Sequence, residues 1–338
     1  MKILIIGGTG LISTATTHIL VESGEKVTLY NRGQSEYPTP PGVKVVHGDR
    51  THYSTFEAQM AELGTFDVVI DMVAYQPEDG ESIVRALRGR IGQLIFCSTV
   101  DVYRKPASCY PYTEAEEYGG LNEYARNKVI LEKTLLAAHA RRDFPVTIIR
   151  PAYTYGEGRG PLHTFGGRTT YLDRLRQGKP IVVHGDGNSL WVACHRDDVA
   201  RTFVAAAGNS ATFGKSYHVT GEEWMTWNVY HQKVAEALHA PAPRLVHIPT
   251  DLLGKVIPQQ AQLAVTNIQF NNIFDNRAAR TDLGFQYTLP WIEGVRRMVS
   301  WLDARQRIEP WQAEPLEDRL IAAWERYGER MAEEMFQQ

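Results

Sequence analysis

The chain of 338 residues is 43% hydrophobic and 22% charged, proportions of an ordinary folded protein that exclude an intrinsically disordered one. A balance of 36 basic and 39 acidic residues leaves a formal charge of -3 without any block of like charge, so a nucleic-acid backbone or an anionic membrane is not the expected partner and small-molecule chemistry is favoured. Cys97, Cys109 and Cys194 are odd in number and widely spaced, which argues against a disulfide framework and a zinc site and suits a cytoplasmic protein.

The apolar start Ile3 to Ile6 stops at Gly7-Gly8, too short for a signal core or a membrane span, and reads as a strand. Further strands are expected at Lys26 to Tyr30, Val43 to Val46, Asp67 to Ile70, Gln93 to Cys97 and Val146 to Ile149. Intervening segments such as Leu11 to Glu22 and Tyr124 to Ala138 carry apolar residues at three- and four-residue spacing, the pattern of crossover helices. Strand and helix in alternation predict an α/β fold, a doubly wound parallel sheet of the Rossmann type over residues 1–152. Beyond Arg150-Pro151, Gly- and Pro-rich stretches such as Gly156-Glu157-Gly158-Arg159-Gly160-Pro161 predict a smaller, irregular C-terminal substrate domain over 153–338. Its tail carries Leu316, Leu320, Trp324, Tyr327, Met331 and Met335 at helical spacing, predicting an amphipathic helix packed on the body or on another subunit.

Gly7-Gly8-Thr9-Gly10-Leu11-Ile12-Ser13 follows the first strand and opens the first helix. Glycines there let the backbone approach a pyrophosphate, and the amides of a helix amino terminus supply donors for it, so Gly7, Thr9, Gly10, Leu11 and Ile12 predict a dinucleotide site. Ser13 stands where a third glycine is usual. The second strand ends at Asn31-Arg32-Gly33, without the carboxylate that grips the ribose hydroxyls of NAD. Asn31 can bond a ribose hydroxyl and Arg32 suits a 2'-phosphate or the adenine face, so NAD and NADP both stay open, as does a plain surface role for Arg32. Asp49, with Arg50 beside it after the third strand, is placed to accept from the adenine amino group; capping of its own loop is the alternative.

Tyr124 and Lys128 lie four residues apart and share a helical face, where an ammonium can favour the phenolate and lower the phenol pKa toward neutrality. A tyrosine in that state exchanges protons with a substrate hydroxyl. The histidines show no metal-ligand spacing, and no metal is predicted.

With Gly7-Gly8-Thr9-Gly10, Asp49, Ser98-Thr99, Tyr124-x-x-x-Lys128 and Arg150-Pro151 in this order, the chain resembles the extended short-chain dehydrogenase/reductases, in the branch of sugar-nucleotide epimerases and dehydratases. The resemblance covers roughly residues 1 to 300. Gly185-Asp186-Gly187 and His195-Arg196-Asp197-Asp198 are similar to the family's glycine turn and its return to the cofactor domain, implying a returning segment near 194–220. Phe66 to Tyr103 is also similar to atypical members related to chloroplast stem-loop RNA-binding proteins, which raises a non-catalytic, cofactor-sensing or RNA-binding alternative.

The resemblance implies that Tyr124 is the acid/base, that Lys128 lowers its pKa and binds the nicotinamide ribose, and that Thr99, with Ser98 as its neighbour, bonds the reacting oxygen. Ala74 and Tyr75 would line the nicotinamide side, and Pro151 follows the last strand of the cofactor site. Asp101 stands where the family's 4,6-dehydratases carry the base that removes a proton next to the new ketone, while Val100 fills the place of their acid; a turn-capping role is the alternative. For the substrate, Tyr103, Tyr153, Tyr155, His163 and Arg168 are candidates to contact a nucleotide sugar or a nucleoside-like sugar. NAD or NADP is expected to be tightly bound and recycled. The expected assembly is a homodimer, with no nucleic-acid or membrane partner. A net NADPH-dependent reductase of a small carbonyl is the competing enzyme.

Overall fold

The computed structural model describes residues 1–34 and 38–336; residues 337–338, which end the expected second domain, lie outside it. The chain opens with β1 (Lys2–Ile6), α1 (Leu11–Glu22), β2 (Lys26–Asn31), β3 (Lys44–His47), α2 (Tyr53–Leu63), β4 (Phe66–Asp71), α3 (Pro77–Leu87) and β5 (Ile91–Cys97). There follow α4 (Glu123–Ala140), β6 (Val146–Pro151), β7 (Tyr153–Tyr155), α5 (Thr170–Arg176), β8 (Ile181–His184), β9 (Leu190–Trp191), β10 (Ala193–His195) and α6 (Arg196–Ala206). The remaining elements are β11 (Ser216–Val219), β12 (Met225–Thr226), α7 (Trp227–Ala237), β13 (Leu245–Ile248), α8 (Thr250–Val256), α9 (Arg277–Leu283), α10 (Trp291–Ala304) and α11 (Leu316–Phe336).

Two compact units divide the chain. The first comprises Met1–Thr154, Val192–Glu222 and Ile273–Leu289, and the second Tyr155–Trp191, Glu223–Asn272 and Pro290–Gln338. The segment Ile273–Leu289, which the sequence reading placed in the second domain, therefore belongs to the first: Ala279, Leu283 and Phe285 bury themselves against its sheet.

The first unit is a parallel sheet in the order β11-β6-β5-β4-β1-β2-β3, one strand more than the sequence predicts because β11 comes from the returning segment. The apolar runs of β1, β2, β4, β5 and β6 are buried on both faces, whereas β3 at the sheet edge is only half-buried, and period-two alternation sends the buried side chains into two separate cores. Leu4, Ile6, Val69 and Phe96 meet Phe56 of α2, Ile83 of α3 and Leu131 of α4. Ile3, Ile5, Ile70 and Ile95 meet Leu20 of α1, Phe203 of α6 and Leu283 of α9 on the other face. Each such buried aliphatic or aromatic side chain contributes about 1.5–3 kcal/mol relative to an exposed one. Because the chain passes from β1 outward to β2 and β3 and then returns to place β4 on the other side of β1, a switch point lies between β1 and β4. Open α/β sheets bind ligands at the carboxyl ends of their strands at such a point.

The second unit pairs β8 with β13 in parallel and β9 with β12 in antiparallel register. Trp227, Tyr230, Trp291 and Tyr155 form its aromatic centre, with the Tyr230 and Trp291 rings stacked at 4.6 Å. Helix α11 packs Leu320, Ile321 and Trp324 against Val182, Ile248 and Leu253. Of the rest of its predicted apolar stripe, Leu316 is half-buried and Tyr327, Met331 and Met335 are exposed. Among the described residues no helix is long and apolar enough to cross a membrane.

Candidate active site

The glycine loop sits at the end of β1, and its conformation is dictated by contact. Gly7 has φ +83°, its amide donates to the Tyr30 carbonyl at 2.9 Å, and a Cβ there would lie 2.3 Å from Val73 Cγ1. No other residue fits. Ser13 does more than replace a packing glycine: its Oγ donates to the Gly7 carbonyl and accepts from the Gly10 amide, both at 2.7 Å, and so stitches the loop to α1. Leu11 and Ile12 lie in the first turn of α1, where amides have no acceptor within the helix.

A cleft of about 450 Å³ opens above this loop, lined by Gly7, Thr9, Gly10, Asn31, Arg32, Gln34, Asp49, Arg50, Val73 and Tyr75. Its volume lies within the range of small-molecule sites. At one end, Asn31 Oδ1 accepts from the Gly33 amide at 2.8 Å, and Asp49 Oδ1 accepts from the amide and hydroxyl of Thr51 at 2.9 and 2.7 Å. These bonds from Thr51, with a smaller contribution from the Arg32 charge, hold the Asp49 carboxyl below the usual carboxylate range. Arg50 lines the cleft, but its guanidinium is directed beneath it, onto Asp71 at 2.5 Å and Asp79 at 3.4 Å.

At the other end stand the residues expected to do chemistry. Ala74 is buried, whereas Tyr75 is exposed and its ring centre lies 6.3 Å from that of Tyr124. Asn122 starts α4 by accepting from the Ala125 amide at 2.9 Å, which places Tyr124 and Lys128 on consecutive turns. The Tyr124 hydroxyl lies among Thr99, Asp101, Cys97 and Tyr75. Burial first, and then the negative charge of Asp101, push its pKa up, with the Thr99 hydrogen bond opposing. This is opposite to the expected lowering by Lys128. The Lys128 ammonium is buried, donates to the Cys97 carbonyl at 2.7 Å, and lies 4.9 and 4.7 Å from the Tyr75 and Phe96 ring centres; desolvation lowers its own pKa. Burial likewise pushes the Cys97 thiol up to about 11.

Thr99 accepts from the Asp101 amide at 3.2 Å, opening a short helical turn over Val100–Val102. Asp101 pairs with Lys105 at 3.7 Å, an ammonium that is itself buried. Ser98 faces away from the cleft: it is buried and its hydroxyl donates to Glu132. Glu132 is fully buried, bound by Arg150 at 2.5 and 2.9 Å and by the Tyr118 hydroxyl at 2.7 Å.

The sequence profile of the NAD dependent epimerase/dehydratase family matches residues 3–89 and 81–220. The chain belongs to this family. It is 32% identical to a chloroplast stem-loop binding protein of 41 kDa from Arabidopsis thaliana over 259 residues, 73% of this chain and 65% of that protein, so the match spans less than two thirds of the plant protein. It is 25% identical to 2'-dehydrokanamycin reductase of Streptomyces kanamyceticus over 275 residues, 81% of this chain and 77% of that protein. The solved UDP-glucuronic acid 4-epimerase of Bacillus cereus, in complex with NAD, shares the fold with a TM-score of 0.70 at 17% identity, covering 90% of this chain and 99% of that one. NAD(P) is the family's cofactor, and the loop, the helix amino terminus and the cleft in this chain fit it.

In this epimerase/dehydratase chain most of the expected substrate residues are occupied elsewhere. Tyr103 is fully buried, bonded through its hydroxyl to His218 Nε2 at 2.6 Å and to Arg150 at 2.5 Å. Tyr155 packs edge-on against Trp291 at 4.6 Å in the core of the second unit. His163 is buried and stacks on Tyr171 at 4.8 Å, and burial takes its pKa to about 3. Arg168 pairs at the surface with Glu314 at 2.6 Å and Glu309 at 3.5 Å. Tyr153 is half-buried in β7, and Pro151 ends β6. Sequence reasoning passed over Asp71, Asp79, Lys105 and Glu132. Glu132 had a signal, since it lies four residues beyond Lys128 on the same helical face. Among the described residues no group of three His, Cys, Asp or Glu side chains could hold a metal ion.

Proposed function

We propose that this chain is an NAD(P)-dependent epimerase/dehydratase acting on the sugar of a nucleotide sugar or nucleoside-like substrate, with elimination of water favoured. The observation that carries this reading is the gathering of Tyr124, Thr99 and Asp101 at one point, beside Tyr75 at the nicotinamide end of the cleft. A bound nicotinamide supplies a reversible hydride acceptor. Tyr124 takes the proton of a ring hydroxyl as the adjacent C–H is oxidised, and Thr99 holds the ketone oxygen that results. Asp101 removes the now acidic proton on the neighbouring carbon. A β-hydroxyl then departs as water, protonated by Tyr124, or the proton returns on the opposite face. Return of the hydride would close the cycle: after elimination it goes to the carbon that lost its hydroxyl while Asp101 gives its proton back to the neighbouring carbon, and after re-protonation it goes to the carbonyl carbon while Tyr124 returns its proton. The cofactor would thus be recycled and stay bound. Lys128 would hold the nicotinamide ribose.

The relative named as a reductase supports a second reading, net reduction of a small carbonyl by free NADPH at the same Tyr124. Stoichiometry separates the two. Purified protein is denatured and its nucleotides identified by mass spectrometry, then the folded protein is given dTDP-glucose or UDP-glucose in D₂O. Deuterium in the sugar without net consumption of nicotinamide supports the first reading; stoichiometric NADPH oxidation with a carbonyl substrate would replace it with the second. Binding of stem-loop RNA in the absence of any dinucleotide would sink both. The reading is of a cytoplasmic homodimer, checked by light scattering of the purified chain.

A further inference from the structure

Arg50 joins two loops that lie at opposite ends of the cleft. It follows Asp49 in the loop after β3, is 6% exposed, and directs its guanidinium toward the carboxyl end of β4 and the start of α3. Its Nη1 meets Asp71 Oδ2 at 2.5 Å, its Nη2 donates to the Asp79 carbonyl at 2.8 Å, and its Nε lies 3.4 Å from Asp79 Oδ1. The remaining oxygens of both carboxylates organise the intervening segment. Asp71 Oδ1 accepts from the Val73 amide at 3.0 Å, and Asp79 Oδ2 accepts from the Tyr75 and Gln76 amides at 2.8 and 2.9 Å. Val73 presses on Gly7, while Tyr75 covers Lys128 and neighbours Tyr124. Asn127 of α4 ties to Gln76 at 3.1 Å from the other side.

We propose that Arg50 is a positioning residue: through Asp71 and Asp79 it fixes the segment Val73–Gln76, so the nicotinamide end of the cleft is set from the loop that forms the adenine end. A guanidinium placed between two carboxylates, each of which also accepts from backbone amides of the intervening segment, restricts how that segment can move. The proposal rests on the dinucleotide reading and takes Arg50 out of direct contact with the cofactor.

The test is a double-mutant cycle on nucleotide binding by the folded chain, freed of bound nucleotide, with NADH fluorescence and 5'-AMP calorimetry as readouts. R50M and D79N should each weaken NADH about tenfold, leave 5'-AMP within about twofold, and together cost no more than the worse single change. Losses that multiply in the double variant, or a fall in 5'-AMP affinity equal to that for NADH, would mean that Arg50 touches the nucleotide itself and would overturn the proposal. Unchanged NADH binding by R50M would overturn it as well. If R50M does not fold, R50K, which keeps the charge without the fork, carries the same outcomes. A wild-type chain that binds neither NADH nor NADPH would overturn the dinucleotide reading together with this one.

Discussion

Lys128 and Tyr124 share a face of α4, yet the ammonium donates to the Cys97 carbonyl at 2.7 Å and lies 5.8 Å from the centre of the Tyr124 ring. The cation is thus held by a backbone oxygen and aromatic rings, and the phenol answers mainly to burial and to Asp101. Its raised pKa means that the basic form becomes more abundant as pH rises. The rate of hydroxyl oxidation is expected to climb with pH through the neutral and mildly alkaline range, and Tyr124→Phe should lower it by about 10²–10⁴ and abolish the slope. A pH profile that is flat from 6 to 9 in the wild type would remove Tyr124 as the base.

Asp101 acts, in the proposed function, only after the ketone exists. Asp101→Asn should therefore leave cofactor reduction measurable while stopping deuterium entry from solvent at the carbon next to the carbonyl. Thr99→Val has the opposite signature, a loss of about 10²–10³ in the oxidation step itself, because it removes a donor to the developing oxyanion. Equal loss of both steps in both variants would argue that the two residues only hold the turn over Val100–Val102.

Glu132 neutralises Arg150 where neither side chain reaches water, with Ser98 and Tyr118 completing its hydrogen bonds. Removing one charge leaves the other buried without compensation, so Glu132→Gln should cost about 3–5 kcal/mol of stability. Urea unfolding measures it. Because Ser98 precedes Thr99, a loss of oxidation rate beyond the loss of folded protein is also expected.

What the sequence made legible is what depends on neighbours along the chain. Runs such as Ile3 to Ile6 and Leu94 to Cys97 are apolar throughout because both faces of the sheet are covered, and the Gly7 loop announces itself because its φ and its contact with Val73 demand glycine. The Arg50 contacts were not legible: Asp71 and Asp79 lie 21 and 29 residues away, and only the parallel sheet brings them together. Nor does a residue type reveal whether it is core or site. Tyr155 and His163 flank a Gly- and Pro-containing stretch that reads as a binding loop, but their rings fill the interior of the second unit.

Glu317 makes the docking of α11 sensitive to pH. It lies in the first turn of that helix, 3% exposed, accepting from the Val182 amide at 2.6 Å and facing Arg174 Nε at 3.1 Å. Burial is the largest influence and raises its pKa to about 7, with Arg174 opposing and Asp318 and Glu314 adding to the rise. A carboxyl raised in the folded state favours folding most where it is protonated, below its unfolded value, and that contribution is lost as pH climbs through 7. His163 and His184, taken to about 3 and 4 by burial, and His231, lowered by burial as well, act in the other direction as pH rises through their unfolded range near 6.5. Most of the Glu317 contribution is lost between its unfolded range near 4.5 and pH 7, with only about 1 kcal/mol remaining to be lost from pH 6.5 to 8.5, so comparison with Glu317→Gln rather than the choice of interval separates it from the histidines. Hydrogen exchange of the Leu316–Phe336 amides reads this locally: after correction for the intrinsic rate, the wild type should lose protection with rising pH relative to Glu317→Gln. Equal profiles in the two proteins would assign the pH dependence to other groups and leave Arg174 with a permanently ionised partner.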